Sequence, residues 1–214
     1  AYTENDVATV VSATITVSDL DSLTDPVLDS AVVSISSGLR HGDVLAYSGN
    51  HTGVIAAYDS SIGVLLLSGS GVVSVAGWQT ALRAVTYSSS SEDPTGTQSS
   101  ADRVVSFVIS DGDVSSAAVT RTVTVTPVND VPVLAAVESG ALAYTENDVA
   151  TVVSATITVS DLDLTTDANL DTATVTIGTG LTDGDVLAYS GSDVGITAVY
   201  DSAAGALALS GSVS

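Results

Sequence analysis

Residues 1–21 read Ala-Tyr-Thr-Glu-Asn-Asp-Val-Ala-Thr-Val-Val-Ser-Ala-Thr-Ile-Thr-Val-Ser-Asp-Leu-Asp, and residues 143–163 repeat those letters without a change. The offset is 142 residues. Carried on without gaps, it pairs residues 1–72 with 143–214, and 49 of those 72 positions are identical. Two copies this similar share one fold. A period of 142 residues is far too long for a solenoid turn and falls in the size range of an independent domain. The chain therefore reads as tandem units, 1–132 and 133–214, the second being the first half of another copy. Their junction lies at Thr126-Pro127-Val128-Asn129-Asp130-Val131-Pro132, where each proline biases its predecessor toward extended backbone.

Within the unit the apolar period is two. Ala13, Ile15 and Val17 alternate with Thr14, Thr16 and Ser18, and Val119 to Val125 alternates with Thr120, Thr122 and Thr124. Such alternation marks half-buried strands. More β-branched runs lie at 31–35, 44–47, 54–58, 64–67 and 104–109, separated by Gly, Asp, Asn and Ser. The expected fold class is all-β, an antiparallel sandwich. One segment differs: Trp78, Leu82 and Val85 share a helical face, which predicts one short helix plugging the end of the core.

Composition narrows the function. Twenty-five acidic residues face four arginines and no lysine, for a net charge of −21. That charge repels phosphate backbones and anionic lipid, so neither nucleic acid nor membrane insertion is expected. There is no cysteine, which removes disulfides, thiolate metal sites and thiol nucleophiles. The longest apolar runs are too short to cross a bilayer as helices. The chain opens on Ala1-Tyr2-Thr3-Glu4 with no basic and apolar leader, which suggests a mature segment or an excerpt.

The acids gather at turns: Glu4-Asn5-Asp6, Asp19-Leu20-Asp21, Asp111-Gly112-Asp113, Asn129-Asp130, Glu146-Asn147-Asp148 and Asp161-Leu162-Asp163. Packed like charges ask for a counter-ion, and protein cations are scarce. Carboxylate, amide and carbonyl oxygens are what Ca²⁺ takes in sets of roughly six to eight, so calcium is the natural candidate. Two acids one residue apart in a turn can face one ion, whereas a regular strand sends them to opposite faces. The EF-hand loop does not fit: counted from Asp19, the turn-glycine position is Thr24 and the bidentate-glutamate position is Ser30.

Four motifs in order carry a resemblance: Thr3-Glu4-Asn5, then Asp19-Leu20-Asp21, then Phe107-Val108-Ile109-Ser110-Asp111-Gly112, then Val123 through Pro132. The chain resembles the cadherin repeat, and more closely the cadherin-like tandem repeats of giant bacterial surface adhesins and matrix proteins. The resemblance implies an Ig-like Greek-key sandwich with calcium at the junctions. It implies Glu4 at the lower end of the first unit, Asn129 and Asp130 as linker ligands, and Asp161 and Asp163 as ligands from the second unit. Asp19, Asp21 and Asp111 would form the top of the first unit and meet a preceding repeat, and Glu146 would serve the junction after. For the acidic motif that cadherins place before their penultimate strand, only Glu92-Asp93-Pro94 or Asp102-Arg103 is available.

The function these readings imply is an extracellular, calcium-rigidified repeat of an adhesin stalk or matrix fibre. Its partners would be neighbouring repeats, other copies of itself, or a cell-surface or matrix component. Arginine-only basic residues, absent cysteine and Ser/Thr-rich outward faces suit a secreted, calcium-replete location. The alternative is a sandwich that binds carbohydrate or protein through its loops, with the recurring Tyr47, Tyr58, Tyr189 and Tyr200 as a stripe. Catalysis is not expected: His41 and His51 are replaced in the second copy by Asp183 and Asp193, and no nucleophile is organised beside a base. The second copy stops at the counterpart of Val72, so its inner sheet face is expected to be uncovered unless more repeat or another chain completes it.

Overall fold

The computed structural model describes residues 1–20, 27–71, 73–97, 99–163, 169–192 and 195–213. It divides the chain into Ala1–Val131 and Pro132–Ser214. Each unit is built mainly from β-strands.

In unit 1 the strands are β1 (Tyr2–Thr3), β2 (Thr9–Val10), β3 (Ser30–Ser37), β4 (Asp43–Tyr47), β5 (Val54–Asp59), β6 (Val64–Gly69), β7 (Val85–Ser89), β8 (Ala101–Ser110) and β9 (Val119–Thr126). They form a six-stranded sheet in the order β1-β9-β8-β3-β6-β5 and a three-stranded sheet in the order β2-β7-β4. All neighbours run antiparallel except β1, which lies parallel to β9 with Tyr2 opposite Val125. Alternation decides what is buried: Ala31, Val33 and Ile35 of β3, Leu65 and Leu67 of β6, and Val105 and Phe107 of β8 turn inward. The other sheet contributes Leu45, Val85 and Tyr87 to the same core. Tyr2 and Tyr87 meet edge to face at 5.2 Å, which joins the two sheets through a favoured aromatic geometry.

The single helix, α1 (Val75–Arg83), starts where Ser74 Oγ accepts the Gly77 N–H at 3.2 Å. It buries Trp78, Ala81 and Leu82. The Trp78 indole donates to the Leu28 carbonyl at 2.6 Å, so the polar edge of the ring has a partner inside the core. Val85, which the helical pattern includes, instead opens β7.

A buried polar contact also joins the sheets. Arg103 Nε on β8 donates to Asp43 Oδ2 on β4 at 2.6 Å, and both side chains are fully buried. The Tyr87 hydroxyl donates to Asp43 Oδ1 at 2.6 Å, and the Arg40 N–H donates to Oδ2 at 2.8 Å. Arg103 also donates to the Pro94 carbonyl. Burial, together with the carboxylate beside it, pushes the Tyr87 phenol well above its ordinary value.

Unit 2 contains β10 (Val133–Ala135), β11 (Thr158–Ser160), β12 (Leu170–Thr176), β13 (Thr197–Asp201) and β14 (Ala206–Val213). The sheet β12-β14-β13 reproduces β3-β6-β5, and the register survives the 142-residue offset. Ala31 opposite Leu67 returns as Ala173 opposite Leu209, and Tyr58 opposite Leu65 as Tyr200 opposite Leu207. Burial survives only in part: Leu207, the counterpart of Leu65, is 6% exposed, whereas Val175, the counterpart of the fully buried Val33, is 40% exposed. The 214 residues hold no second counterpart of Val73–Thr126, the part that supplies α1, β7, β8 and β9 in unit 1.

The alternating run at 13–18 behaves differently in the two copies. Thr158–Ser160 forms β11 against β10, while the identical Thr16–Ser18 is in no strand, although Ile15 and Val17 stay half-buried and their neighbours exposed. A strand needs a ladder partner as well as a pattern.

Beyond β10 the Glu138 carboxylate accepts from Ser154 Oγ at 2.6 Å and from the Ala155 N–H at 2.9 Å. The serine hydroxyl first, then the backbone amides, hold the carboxyl down at about 2. A lowered carboxylate pKa stabilises the folded state above the ordinary value and loses that contribution as pH falls through the lowered one. A carbon-13 NMR titration should therefore place the Glu138 midpoint at about 2, with the stability that the tie to Ser154 contributes declining from pH 4.5 down to that midpoint. A midpoint at 4.5 would show that these bonds do not form in solution.

Candidate metal centre

The site is assembled at one end of β1. The parallel pairing of β1 with β9 sets Thr3 opposite Thr126, and the Glu4 N–H continues it by donating to the Thr126 carbonyl at 2.9 Å. This brings Glu4 against the segment after β9, where the Val128 N–H donates to Glu4 Oε2 at 2.8 Å. The result is a buried carboxylate, 4% exposed. The next residue, Asn5, takes a left-handed φ of 64°, a conformation asparagine tolerates better than most residues, and its amide donates to Glu92 Oε2 at 3.4 Å. Glu92 follows β7, whose end is tied to β1 by the Tyr2 hydroxyl donating to the Ser89 carbonyl at 2.9 Å.

Three carboxylates converge there. Oxygens of Glu4, Glu92 and Asp130 all lie within 4.8 Å of one another, the one such acid group among the described residues. Oxygens on one Ca²⁺ sit about 2.3–2.6 Å from it, so a single shell spans up to about 5 Å and accommodates this set. The donors are hard oxygens only. One of them is buried, one half-buried and one exposed, so a cation held here would be reachable from solvent.

Glu4 and Asp130 are thus brought together, and Glu92 completes the set, whereas Asp102 accepts from Thr124 Oγ1 at 2.8 Å. Asn129 is exposed, and its amide donates to the Asp130 carbonyl at 2.6 Å. Asp111 turns back on its own loop, accepting the Asp113 and Val114 N–H groups at 2.9 and 2.7 Å. Those amides, Val114 first, hold its carboxyl below the ordinary range. Asp19 is half-buried, and Asp21 lies outside the described residues. Near the Asp111 turn stands an acid that the motifs do not single out, Asp29. Its N–H donates to the Ser110 carbonyl at 2.8 Å, and its carboxylate packs so closely on Gly112 that a Cβ there would collide with it.

In unit 2, Glu146 is exposed, whereas its counterpart Glu4 is buried against the segment after β9. Asp161 Oδ1 accepts the Asp163 N–H at 3.0 Å, and Asp163 is buried at 3% exposure. The tyrosine pair Tyr58 and Tyr200 has the same internal duty in both units, donating to the carbonyls of Asp43 and Asp185 at 2.8 and 2.7 Å. Tyr47 accepts the His51 N–H at 2.9 Å. No described helix is long and apolar enough to cross a membrane. Compared with protein-family models, with curated proteins and with solved structures, the chain finds no match in any of the three.

Proposed function

We propose that this chain is a run of cadherin-like sandwich repeats stiffened by calcium, acting outside the cell as a length of adhesin stalk or matrix fibre. The observation that carries the reading is the meeting of Glu4, Glu92 and Asp130 at the linker end of unit 1. Two of these are positions the resemblance gives as ligands, and the third comes from its expected acidic motif. Metal chemistry supplies the rest of the argument. Three carboxylates this close repel one another, and a divalent cation converts that repulsion into a clamp between β1, the loop after β7 and the linker. The clamp would fix the start of the linker Thr126–Pro132 against its own domain, and neighbouring repeats would be the main partners.

Binding to the folded state alone raises stability by about 2.7 kcal/mol at a hundredfold excess over Kd. For a unit of this size that is an increase in Tm of about 5–10 °C. Calorimetry of the whole chain in millimolar Ca²⁺ and in chelator should show this rise. Identical melting curves would contradict the reading, and NaCl at matched ionic strength controls for simple screening.

A further inference from the structure

The two sheets of unit 1 end in four edge strands, β1, β2, β4 and β5, of two, two, five and six residues. The longest, β5, reads Val54-Ile55-Ala56-Ala57-Tyr58-Asp59 and runs against β6 in an unbroken register from Val54–Gly69 to Asp59–Val64. Sheets blunt such edges with charge, proline, a bulge or a cover. β5 has no proline and no bulge, and its one charge, Asp59, stands at its end. The sandwich does not close over it either: Ala56 lies opposite the buried Leu67, on the core side of the sheet, yet is itself exposed. The same edge recurs in unit 2. There β13 is again outermost, beside β14, with Ala198 opposite Leu209 and likewise exposed.

Antiparallel cross-strand hydrogen bonds link every second opposed pair. The Ser70 N–H donates to the Gly53 carbonyl at 2.6 Å, so the bonded pairs that follow are Ile55–Ser68, Ala57–Leu66 and Asp59–Val64. Val54, Ala56 and Tyr58 therefore turn their backbone groups outward. The Val54 N–H is taken by the His51 carbonyl at 3.2 Å, whereas the backbone groups of Ala56 and Tyr58 have no ladder or loop partner among the described residues.

We propose that this edge pairs antiparallel with the same edge of a second copy, so that one sheet continues into the next through β5. In the register of full overlap, Ala56 lies opposite Ala56, Ile55 opposite Ala57 and Val54 opposite Tyr58. The two Ala56 residues exchange both their hydrogen bonds, and each Tyr58 N–H reaches a Val54 carbonyl. On the outer face Ile55, 60% exposed, packs on the small Ala57 of the other copy. The edge is thus its own complement under a two-fold axis, in backbone groups and in side-chain size. Charge favours the same pairing. The chain carries −21, yet residues 54–58 carry none, and the two Asp59 side chains fall beyond opposite ends of the ladder, about 20 Å apart. One strand pair buries less than a standard interface, so a single edge associates weakly, and the second edge on each chain reinforces it. This lateral contact goes beyond the calcium reading and requires no metal.

The test is sedimentation of the full chain over a concentration series in chelator, where failure of calcium binding has no bearing on the result. The mean mass should rise above that of the monomer, and amide exchange at Ala56 and Tyr58 should slow as concentration increases. Ala56→Lys with Ala198→Lys sets like charges directly opposite each other and should weaken association by about tenfold or more. The two lysines lower the overall repulsion of the chain, so that loss comes from the edge itself. Ala56→Glu with Ala198→Glu should weaken it as well, and mixing the Lys and Glu chains should restore association, since Lys then faces Glu. Both positions are exposed, so Trp78 fluorescence should stay that of the natural chain. A mass that remains monomeric, amide exchange at Ala56 and Tyr58 that ignores concentration, association kept by the Lys chain, or a mixture that fails to associate would each overturn the proposal.

Discussion

Replacing Arg103 by alanine should destabilise unit 1 by about 3–5 kcal/mol, because it leaves the Asp43 carboxylate buried without its cation. Asp43 would keep two neutral donors, the Tyr87 hydroxyl and the Arg40 N–H, which do not offset a buried negative charge. The Pro94 carbonyl would lose its guanidinium partner as well. Urea denaturation followed by Trp78, the only tryptophan, reads this unit specifically. The double variant Asp43→Leu with Arg103→Met removes both charges at similar volume, and should recover most of the loss. A loss below about 1 kcal/mol for the single change would mean the pair is solvated like a surface ion pair.

Trp78→Ala should have an effect of similar size, about 3–5 kcal/mol, since the ring is 0% exposed and lies between the helix and both sheets' core residues. Trp78→Phe separates the two contributions. It keeps most of the apolar volume but leaves the Leu28 carbonyl without its donor, which costs about 1–3 kcal/mol for an unsatisfied buried acceptor. Circular dichroism serves here, as the fluorescent probe is gone. If both variants melt with the wild type, α1 does not close the core.

Strand positions were legible because one half-buried face imposes a period of two, and β3, β6, β8 and β9 follow that pattern. The Trp78–Leu82 face was legible for the same reason at helical period. The ion pair was not. Asp43 follows Gly42 and reads as turn polarity, and Arg103 beside Asp102 reads as surface charge; only the registers of β4 with β7 and of β8 within its sheet bring them together. One signal was present: Gly42–Gly49 returns unchanged as Gly184–Gly191, a longer unbroken identity than turn chemistry alone requires. The parallel pairing of the two-residue β1 with β9 was also hidden, since so short a strand has no periodicity, and it is this pairing that buries Glu4. In the candidate site the acid types were readable from composition. Which of them converge depends on turns: Asp111 is taken up by its own loop amides, and Asn129 faces its neighbour's carbonyl.

The central claim is that Glu4, Glu92 and Asp130 share one calcium ion. Its most direct measurement is a Ca²⁺ titration of the full chain watched residue by residue by NMR, on the natural sequence and on Glu92→Gln, whose exposed side chain can change without disturbing the core. The account predicts that the tightest binding event shifts Glu4, Glu92, Asp130 and the Val128 amide together, and that Glu92→Gln weakens that event at least tenfold. Saturable shifts that leave those four residues unmoved, or an unchanged affinity in Glu92→Gln, would contradict it.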